Sequence, residues 1–196
     1  MRKIIILLLA MVGSYYVQGQ MSYLLSYPVS FPLGDLHNYS SNVSFRGINV
    51  EYDKKMQPKT AADIEIGWNI FYQHVNQKTY TEGTASISGV QYRYTNAVPI
   101  IAGGKYYPAT ANKAIKPYVG LGFGTLYANR RTDFGLYRIV SEAWQFCIRP
   151  EAGLEFKMGY GVSLFIGAKY YWAFDAGELG GQPYLSVNLG IRMSMY

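Results

Sequence analysis

The stretch that most constrains the fold is residues 117–127, PYVGLGFGTLY. From Val119 onward bulky apolar residues alternate with glycines, so a strand here has one large apolar face and one nearly bare face. A strand of a water-soluble protein is not expected to combine a large apolar face with a bare face unless another group packs against the bare face. The interior of a small closed barrel crowds it, and lipid outside accommodates the apolar side. The stretch therefore predicts a strand of a membrane β-barrel.

The N-terminal residues predict a secretory signal peptide. Arg2 and Lys3 precede the apolar run 4–12, and residues 17–19 supply a cleavage site. The predicted division is therefore a signal peptide at 1–19 and a single barrel domain at 20–196. The apolar run is far shorter than the roughly 20 residues that a helix needs to cross a bilayer, which argues against a transmembrane anchor.

Charge and cysteine content exclude two other classes of protein. The chain carries a net charge of +6, but its Lys and Arg residues are scattered, and the predicted export also argues against a nucleic-acid partner. The single cysteine, Cys147, cannot form an internal disulfide, which excludes a disulfide scaffold. The 20 tyrosines and 21 glycines favour strands and tight turns over helices.

Alternating apolar and polar residues mark eight strand-like segments. Most are about 10 residues or longer, which matches the roughly 9–11 residues that a tilted strand needs to cross the hydrocarbon. Because an open sheet cannot sit in lipid, the strands must close. The predicted fold is all-β, a single eight-stranded antiparallel up-and-down transmembrane β-barrel. The segments are 22–31, 43–53, 62–73, 84–107, 117–127, 143–158, 162–174 and 183–196.

An even number of strands places both chain ends on the periplasmic side, and this sorts the connections. Residues 54–60, 109–116 and 159–161 are predicted periplasmic turns. The predicted outer loops are 34–42, 76–83, 129–138 and 175–182. Pro99 lies within the fourth segment, where it predicts a bulge or a local bend because proline cannot donate to the ladder.

The two faces of the predicted strands meet different surroundings. Bulky apolar residues are predicted to face outer-membrane lipid: Ile64, Ile66, Val119, Leu121, Phe123, Leu164, Ile166, Val187 and Leu189. Charged residues on the opposite faces are predicted to form a network in the lumen: Glu51, Asp63, Glu65, Arg149, Glu151, Glu155, Lys157, Lys169 and Arg192.

The predicted network has a structural interpretation and a functional one. Side chains fill an eight-stranded barrel, and buried ions need partners, so these charges are expected to pair across the lumen. A proton or ion path, or a catalytic carboxylate pair, is the functional alternative. Aromatic residues near the strand ends indicate girdles at the two membrane interfaces.

Other candidate sites are weaker. The glycines at 120, 122 and 124 loosely match a nucleotide-binding loop, but that loop needs a helix beginning at the glycines, so no cofactor is predicted. Neither is a metal site or a catalytic residue. His37 has Ser40 and Ser41 nearby in sequence, but no third group is evident to orient it. A sugar-binding platform could form from Tyr39, Phe134 and Tyr137.

With its signal peptide, eight alternating segments and PYVGLGFG in the fifth, the chain resembles the outer membrane protein β-barrel domain family. That family comprises small eight-stranded barrels of Gram-negative outer membranes. The resemblance implies insertion by the barrel assembly machinery, which recognises a last strand ending in an aromatic residue, here Tyr196. In the family the terminal aromatic shares the lipid-facing parity, whereas here Met195 does.

Four functions are compatible with these features. The leading hypothesis is a non-enzymatic outer-membrane barrel that acts structurally or through its outer loops on a surface partner. The alternatives are a lipid-modifying enzyme that uses His37, a narrow passive pore with a charged lumen, and a secreted soluble barrel that binds a small apolar ligand. The expected partners are outer-membrane lipid, the barrel assembly machinery and an extracellular or surface partner.

Overall fold

Eight antiparallel strands close into one barrel, with each strand paired to its neighbours in sequence. The computed structural model describes residues 20–82, 85–108, 114–135 and 137–195, with side chains described for all of these except 77–88. The elements are β1 Met21–Pro32, α1 Gly34–Tyr39, β2 Gly47–Gln57, β3 Thr60–Glu82, β4 Ala85–Tyr106, β5 Ile115–Phe134, β6 Tyr137–Gly159, β7 Val162–Ala173 and β8 Tyr184–Met195.

The first and last strands close the barrel. β1 pairs with β8 in one unbroken register that runs from Met21 opposite Met195 to Pro32 opposite Tyr184. Closure leaves no open sheet edge, the condition that the sequence pattern demanded. The predicted eight-stranded up-and-down barrel is confirmed.

Side chains alternate between the lumen and the exterior along each strand. In β1 the burial of successive residues switches almost without exception between exposed and buried. The outward face is apolar: Ile66 is 55% exposed and Leu189 53%. All nine residues predicted to face lipid lie on this face, and Leu164 alone among them is half-buried. Their contact with lipid stays a prediction.

The two ends of the barrel differ. One end, called the turn end, carries tight turns at residues 58–59 and 160–161. The second of these turns uses positive φ at Gly159 and Gly161, at 114° and 80°, which glycine adopts without strain. The opposite end, called the helix end, carries α1 and the long β3–β4 and β5–β6 hairpins. No helix in the described part of the chain is long and apolar enough to cross a membrane.

Two of the predicted outer loops are wrong. Residues 76–82 continue β3, and most of 129–138 belongs to β5 and β6, so the barrel wall extends as two-stranded ribbons. Cross-strand pairing continues through both extensions: Tyr80 is opposite Ile87 in the β3–β4 ribbon, and in the β5–β6 ribbon Arg138 Nε lies 2.8 Å from Asp133 Oδ1. Such cross-strand pairs stabilise strands whose two faces are both exposed to solvent.

Other connections also differ from the prediction. Predicted loop 34–42 contains the short helix α1. Of the bulge or local bend predicted at Pro99, the bulge is wrong, because the β3–β4 register is the same on both sides of it, with Ile66 opposite Ile100 and Asn69 opposite Ala97. The bend stays a prediction. Three predictions fall outside the described residues: the signal peptide, the greater part of turn 109–116, and Tyr196.

The bare face of β5 faces a crowded lumen. A Cβ placed on Gly122 would lie 2.5 Å from Ile101 Cγ2, and one on Gly124 would collide with the backbone oxygen of Ile100. Leu121, directly before Gly122, is 46% exposed on the outside. The glycine alternation is therefore a steric requirement of the lumen.

This arrangement predicts opposite responses at neighbouring positions. Gly122→Leu should lower the free energy of unfolding by about 1–3 kcal/mol, because it overpacks the lumen. Leu121→Phe should change it little, because the exterior accommodates either side chain. Reversible urea unfolding in lipid vesicles measures both. A larger loss for Leu121→Phe than for Gly122→Leu would mean that the exterior face is a packed core.

Candidate functional site

Ten charged side chains meet in the middle of the lumen, and each is 6% exposed or less. They come from every strand except β1 and β5. We call this set the lumen cluster. Its six carboxyl groups outnumber its four basic groups. The members are Glu51, Asp53, Asp63, Glu65, Lys105, Arg149, Glu151, Glu155, Lys169 and Arg192.

Arg149 is the centre of the cluster. Its Nη2 lies 2.5 Å from Asp63 Oδ2 and 3.0 Å from Glu151 Oε1. Its Nη1 lies 2.8 Å from Glu65 Oε2. A guanidinium presents five donors in a rigid fork, so it holds carboxylates from several directions at once. Arg149 therefore connects β3 and β6 across the barrel.

The two lysines extend the cluster to β2. Lys169 Nζ donates to Glu51 Oε2 at 2.5 Å and also contacts Glu65 Oε2. Lys105 Nζ lies 2.9 Å from Asp53 Oδ1 and also contacts Glu51 Oε1. Glu51 thus receives a lysine on each carboxylate oxygen, one from β4 and one from β7. These pairs draw together strands that are far apart in the ring.

Arg192 forms the part of the cluster nearest the turn end. Its Nη1 lies 2.8 Å from Asp53 Oδ2 and 3.1 Å from Glu155 Oε1. The hydroxyl of Tyr107 accepts from Arg192 Nη1 at 3.0 Å and donates to Glu155 Oε1 at 2.8 Å. Burial raises the pKa of Tyr107 well above its ordinary value, so this hydroxyl keeps its proton and its role as donor.

The glycines of β5 provide the space that the cluster occupies. A Cβ on Gly120 would lie 2.6 Å from Glu151 Oε1, and one on Gly122 would lie 3.3 Å from Arg149 Nη2. β5 pairs with β6 so that Gly120 is opposite Glu151 and Gly122 opposite Arg149. The long charged side chains of β6 therefore lie over the bare face of the neighbouring strand.

Aromatic layers lie on both sides of Arg149 along the barrel axis. Towards the helix end, Tyr171 stacks on Tyr184 with ring centroids 4.5 Å apart, and Phe71 packs edge-on against Tyr184 at 5.4 Å. Towards the turn end, the ring of Tyr118 lies 5.6 Å from that of Phe165. Tyr171 links the layers to the charges by donating to Glu65 Oε1 at 2.5 Å. At the helix end these rings cover the charges, whereas at the turn end Asp53, Glu155 and Arg192 line a cavity of about 400 Å³.

Helix α1 covers the lumen at the helix end. Leu36, a residue of this helix, is fully buried. The ring of Tyr39 lies between two guanidiniums, 4.6 Å from Arg130 and 5.2 Å from Arg93, and its hydroxyl is 2.6 Å from Thr132 Oγ1. Arg93 and Arg130 also donate to backbone oxygens of α1. Burial raises the pKa of Tyr39, which keeps this hydroxyl protonated.

The predicted charged residues are mostly brought together. Eight of the nine lie in the lumen cluster, whereas Lys157 is exposed. The position of Lys157 in the network is corrected: it has the inward parity of β6 but lies where the barrel opens at the turn end. Sequence reasoning missed Asp53 and Lys105. Asp53 follows the alternation of Glu51, and Lys105 shares the parity of buried Ile101, so both carried a signal.

The described residues do not form a catalytic arrangement around His37. Its side chain is exposed on α1, and no hydroxyl among the described residues lies within hydrogen-bond distance of its ring. The nearby Ser40 is buried. No group of three or more His, Cys, Asp or Glu residues in the described part of the chain is placed to hold a metal ion.

The architecture and the filled lumen define a class, the small eight-stranded transmembrane β-barrels. Solved structures of this class are similar to the chain over nearly its whole length, and they confirm the predicted resemblance at the level of fold. No family model matches the sequence, and no curated protein matches it.

Three of these structures illustrate the similarity. Neisserial surface protein A has a TM-score of 0.58 at 12% identity, with 90% of this chain and 97% of that chain covered. Ail of Yersinia pestis, solved with the heparin analogue sucrose octasulfate, has a TM-score of 0.57 at 13% identity, with 91% and 100% covered. OprG of Pseudomonas aeruginosa has 0.54 at 11% identity, with 91% and 96% covered. At these identities the similarity shows the fold alone.

The surplus of carboxyl groups predicts an asymmetry between removing a base and removing an acid. Arg149→Met should lower the free energy of unfolding by about 3–5 kcal/mol, because it leaves several buried carboxylates without their shared partner. Asp63→Asn should cost clearly less, because the amide oxygen can still accept from Arg149. Reversible unfolding in lipid vesicles provides the comparison.

Lys59→Met is the matched control, since it removes an exposed base in the turn at residues 58–59, outside the lumen cluster. It should change the free energy of unfolding by no more than about 0.5 kcal/mol. Equal losses for Arg149→Met and Asp63→Asn would contradict the role of Arg149 as the shared partner.

Proposed function

We propose that this chain is a non-enzymatic integral outer-membrane barrel with a structural lumen, which acts through its helix end on a surface partner. The observation that carries the proposal is the filled lumen. Buried ion pairs occupy its middle, aromatic rings pack among and above them towards the helix end, and α1 covers that end. These side chains oppose a passive pore, and they leave the barrel ends as the surfaces for recognition.

The exterior supports a membrane location. Large apolar side chains are exposed on strands all around the barrel, far beyond the few hundred Å² that a soluble monomer usually exposes in one patch. Aromatic residues flank this band. Trp68, Trp144 and Trp172 lie towards the helix end and are more than half exposed, and Tyr23 and Tyr106 lie towards the turn end. This distribution is typical of the two interfaces of a membrane barrel.

The helix end supports a role in surface recognition. The β3–β4 and β5–β6 hairpins extend there, and arginines are concentrated on them and next to them. Ail, one of the similar structures, was solved with a heparin analogue, so a ligand at the surface of such a barrel has a precedent. The proposal places the helix end outside the cell. The arginines are Arg46, Arg93, Arg130, Arg131 and Arg138.

The route to the membrane completes the proposal. The signal peptide at 1–19 directs export, and the barrel assembly machinery inserts the chain through β8 and the terminal Tyr196. Outer-membrane lipid is then the permanent partner of the exterior. The even strand number supports this orientation, because it puts the chain ends and the short turns on the periplasmic side.

Cell fractionation combined with gel mobility tests the location. The protein should be recovered with the outer membrane, and it should migrate differently before and after boiling, because a closed membrane barrel resists detergent until heated. Planar bilayers that contain the refolded protein should show no stable conductance. Recovery in the soluble periplasm with identical mobility would overturn the location, and a stable conductance would overturn the structural lumen.

Depth along one strand gives a second test. Leu121→Arg should lower the free energy of unfolding in vesicles by about 2–4 kcal/mol, the cost of a basic residue near the bilayer midplane. Asn129→Arg is the control on the same strand and the same outward face. It should cost about 1 kcal/mol or less, because Asn129 lies near the interface and already bonds Glu142. Equal effects would contradict a membrane around β5.

A further inference from the structure

A row of four side chains crosses the outward face of the barrel near the helix end. The guanidinium of Arg46 lies over the ring of Tyr72, 5.9 Å from its centroid. Tyr72 and Tyr94 are cross-strand partners with ring centroids 5.0 Å apart. Arg131 is the next partner along, 4.8 Å from the Tyr94 ring. A cation therefore stands at each end of a pair of tyrosines.

A groove of about 430 Å³ lies beside this row, where the chain enters β2. Apolar side chains line most of it, and Val43 and Phe45 among them are 38% and 62% exposed. Arg46 and Asn42 add polar groups to its lining. The groove thus combines an apolar floor with a cation at its rim, which is the complement of an anionic amphiphile.

The walls of the groove are anchored to the barrel. Asn42 Nδ2 donates to the backbone oxygen of Tyr72 at 3.2 Å, and the backbone N–H of Ile70 donates to the oxygen of Arg46 at 2.9 Å. Between these two bonds, Ser44 Oγ donates to the oxygen of Ile70 at 2.6 Å. The segment 42–46 is therefore held against β3, and the groove is a feature of the folded wall.

The charges on the row leave Arg46 available to a ligand. Arg131 Nε lies 3.1 Å from Asp133 Oδ2, and Arg138 Nε lies 2.8 Å from the other oxygen of Asp133. Arg46 has no carboxylate within 4.0 Å among the described residues. Its guanidinium lies over the Tyr72 ring, 5.9 Å from the centroid, and a guanidinium without a carboxylate partner can present its N–H groups to a phosphate.

The depth of the groove selects the kind of ligand. Trp68 lies on the same outward face of β3, two residues before Ile70, and its indole N–H donates to Asn96 Oδ1 at 3.3 Å. A tryptophan with an apolar body and a satisfied polar tip is typical of a membrane interface. A ligand in the groove would therefore have its apolar part at the edge of the hydrocarbon and its charge among the headgroups.

We propose that this groove binds a phosphate-bearing membrane lipid, with the headgroup on Arg46 and the upper acyl chain against Phe45, Val43 and Ile70. Arg131, at the far end of the tyrosine pair, provides a weaker second cation for the same headgroup layer. The inference rests on the proposed membrane location and assigns a lipid class to one face of the barrel.

Native mass spectrometry of the refolded barrel with phosphatidylglycerol and with phosphatidylcholine tests the site. The wild type should retain phosphatidylglycerol in preference to phosphatidylcholine. Arg46→Gln should weaken this retention about tenfold or more, as expected for the loss of a charge-assisted hydrogen bond. Arg46→Lys should fall between the two, because it keeps the charge but loses the planar fork.

Two controls separate a built site from general attraction. Lys157→Gln removes one positive charge at the turn end and should retain the lipid as the wild type does. Phe45→Ala should weaken retention of phosphatidylglycerol without changing the weak binding of soluble glycerol phosphate, because only the lipid reaches the apolar floor. Equal losses for Arg46→Gln and Lys157→Gln would overturn the site.

The remaining outcomes also decide between ligands and between proposals. Equal retention by Arg46→Gln and the wild type would overturn the site, and so would Arg46-dependent binding of sucrose octasulfate in the absence of lipid binding. A protein that fails to insert into vesicles at all, or whose gel mobility does not change on boiling, would instead overturn the membrane location. The two failures are therefore distinguishable.

Discussion

The pairing of buried charges in the lumen is the interaction on which the rest of the barrel depends. A charged group inside a narrow barrel is costly unless a partner meets it, so each base of the cluster must find carboxylates on other strands. Arg149 can do so only because β5 offers glycines opposite it. The glycine alternation on β5 and Arg149 on the adjacent strand β6 therefore depend on each other. The apolar exterior then follows, since each strand that sends a charge inward sends its alternate residues outward.

Most of the barrel could be predicted from the sequence because its period is simple. Alternation with a period of two identifies strands, their faces and their number, and eight strands in lipid have to close. Eight of the nine predicted lumen charges reach the lumen cluster for the same reason. The alternation shows which side of a strand a residue lies on, however, and not its position along the barrel axis. Lys157 has the correct parity but lies beyond the end of the packed interior, so solvent reaches it.

The features that escaped prediction depend on contacts between strands. Lys105 escaped prediction because the fourth segment is long and contains Pro99, although Lys105 has the parity of Ile101. The polar ends of β3, β5 and β6 had the composition of loops. Cross-strand contacts such as that between Asp133 and Arg138 keep them extended. A partner on the neighbouring strand, which sequence spacing alone does not supply, decides whether a polar segment is a strand or a loop.

The arginines of this chain show how surroundings divide one residue type among different tasks. In the lumen, carboxylates occupy the donors of Arg149. At the helix end, Arg130 donates to the backbone of α1 and stacks on Tyr39, so its charge holds the cover of the lumen in place. Arg46 lies over the Tyr72 ring and has no carboxylate within 4.0 Å among the described residues. Its guanidinium is therefore the basis of the proposed lipid site on the outward face of the barrel.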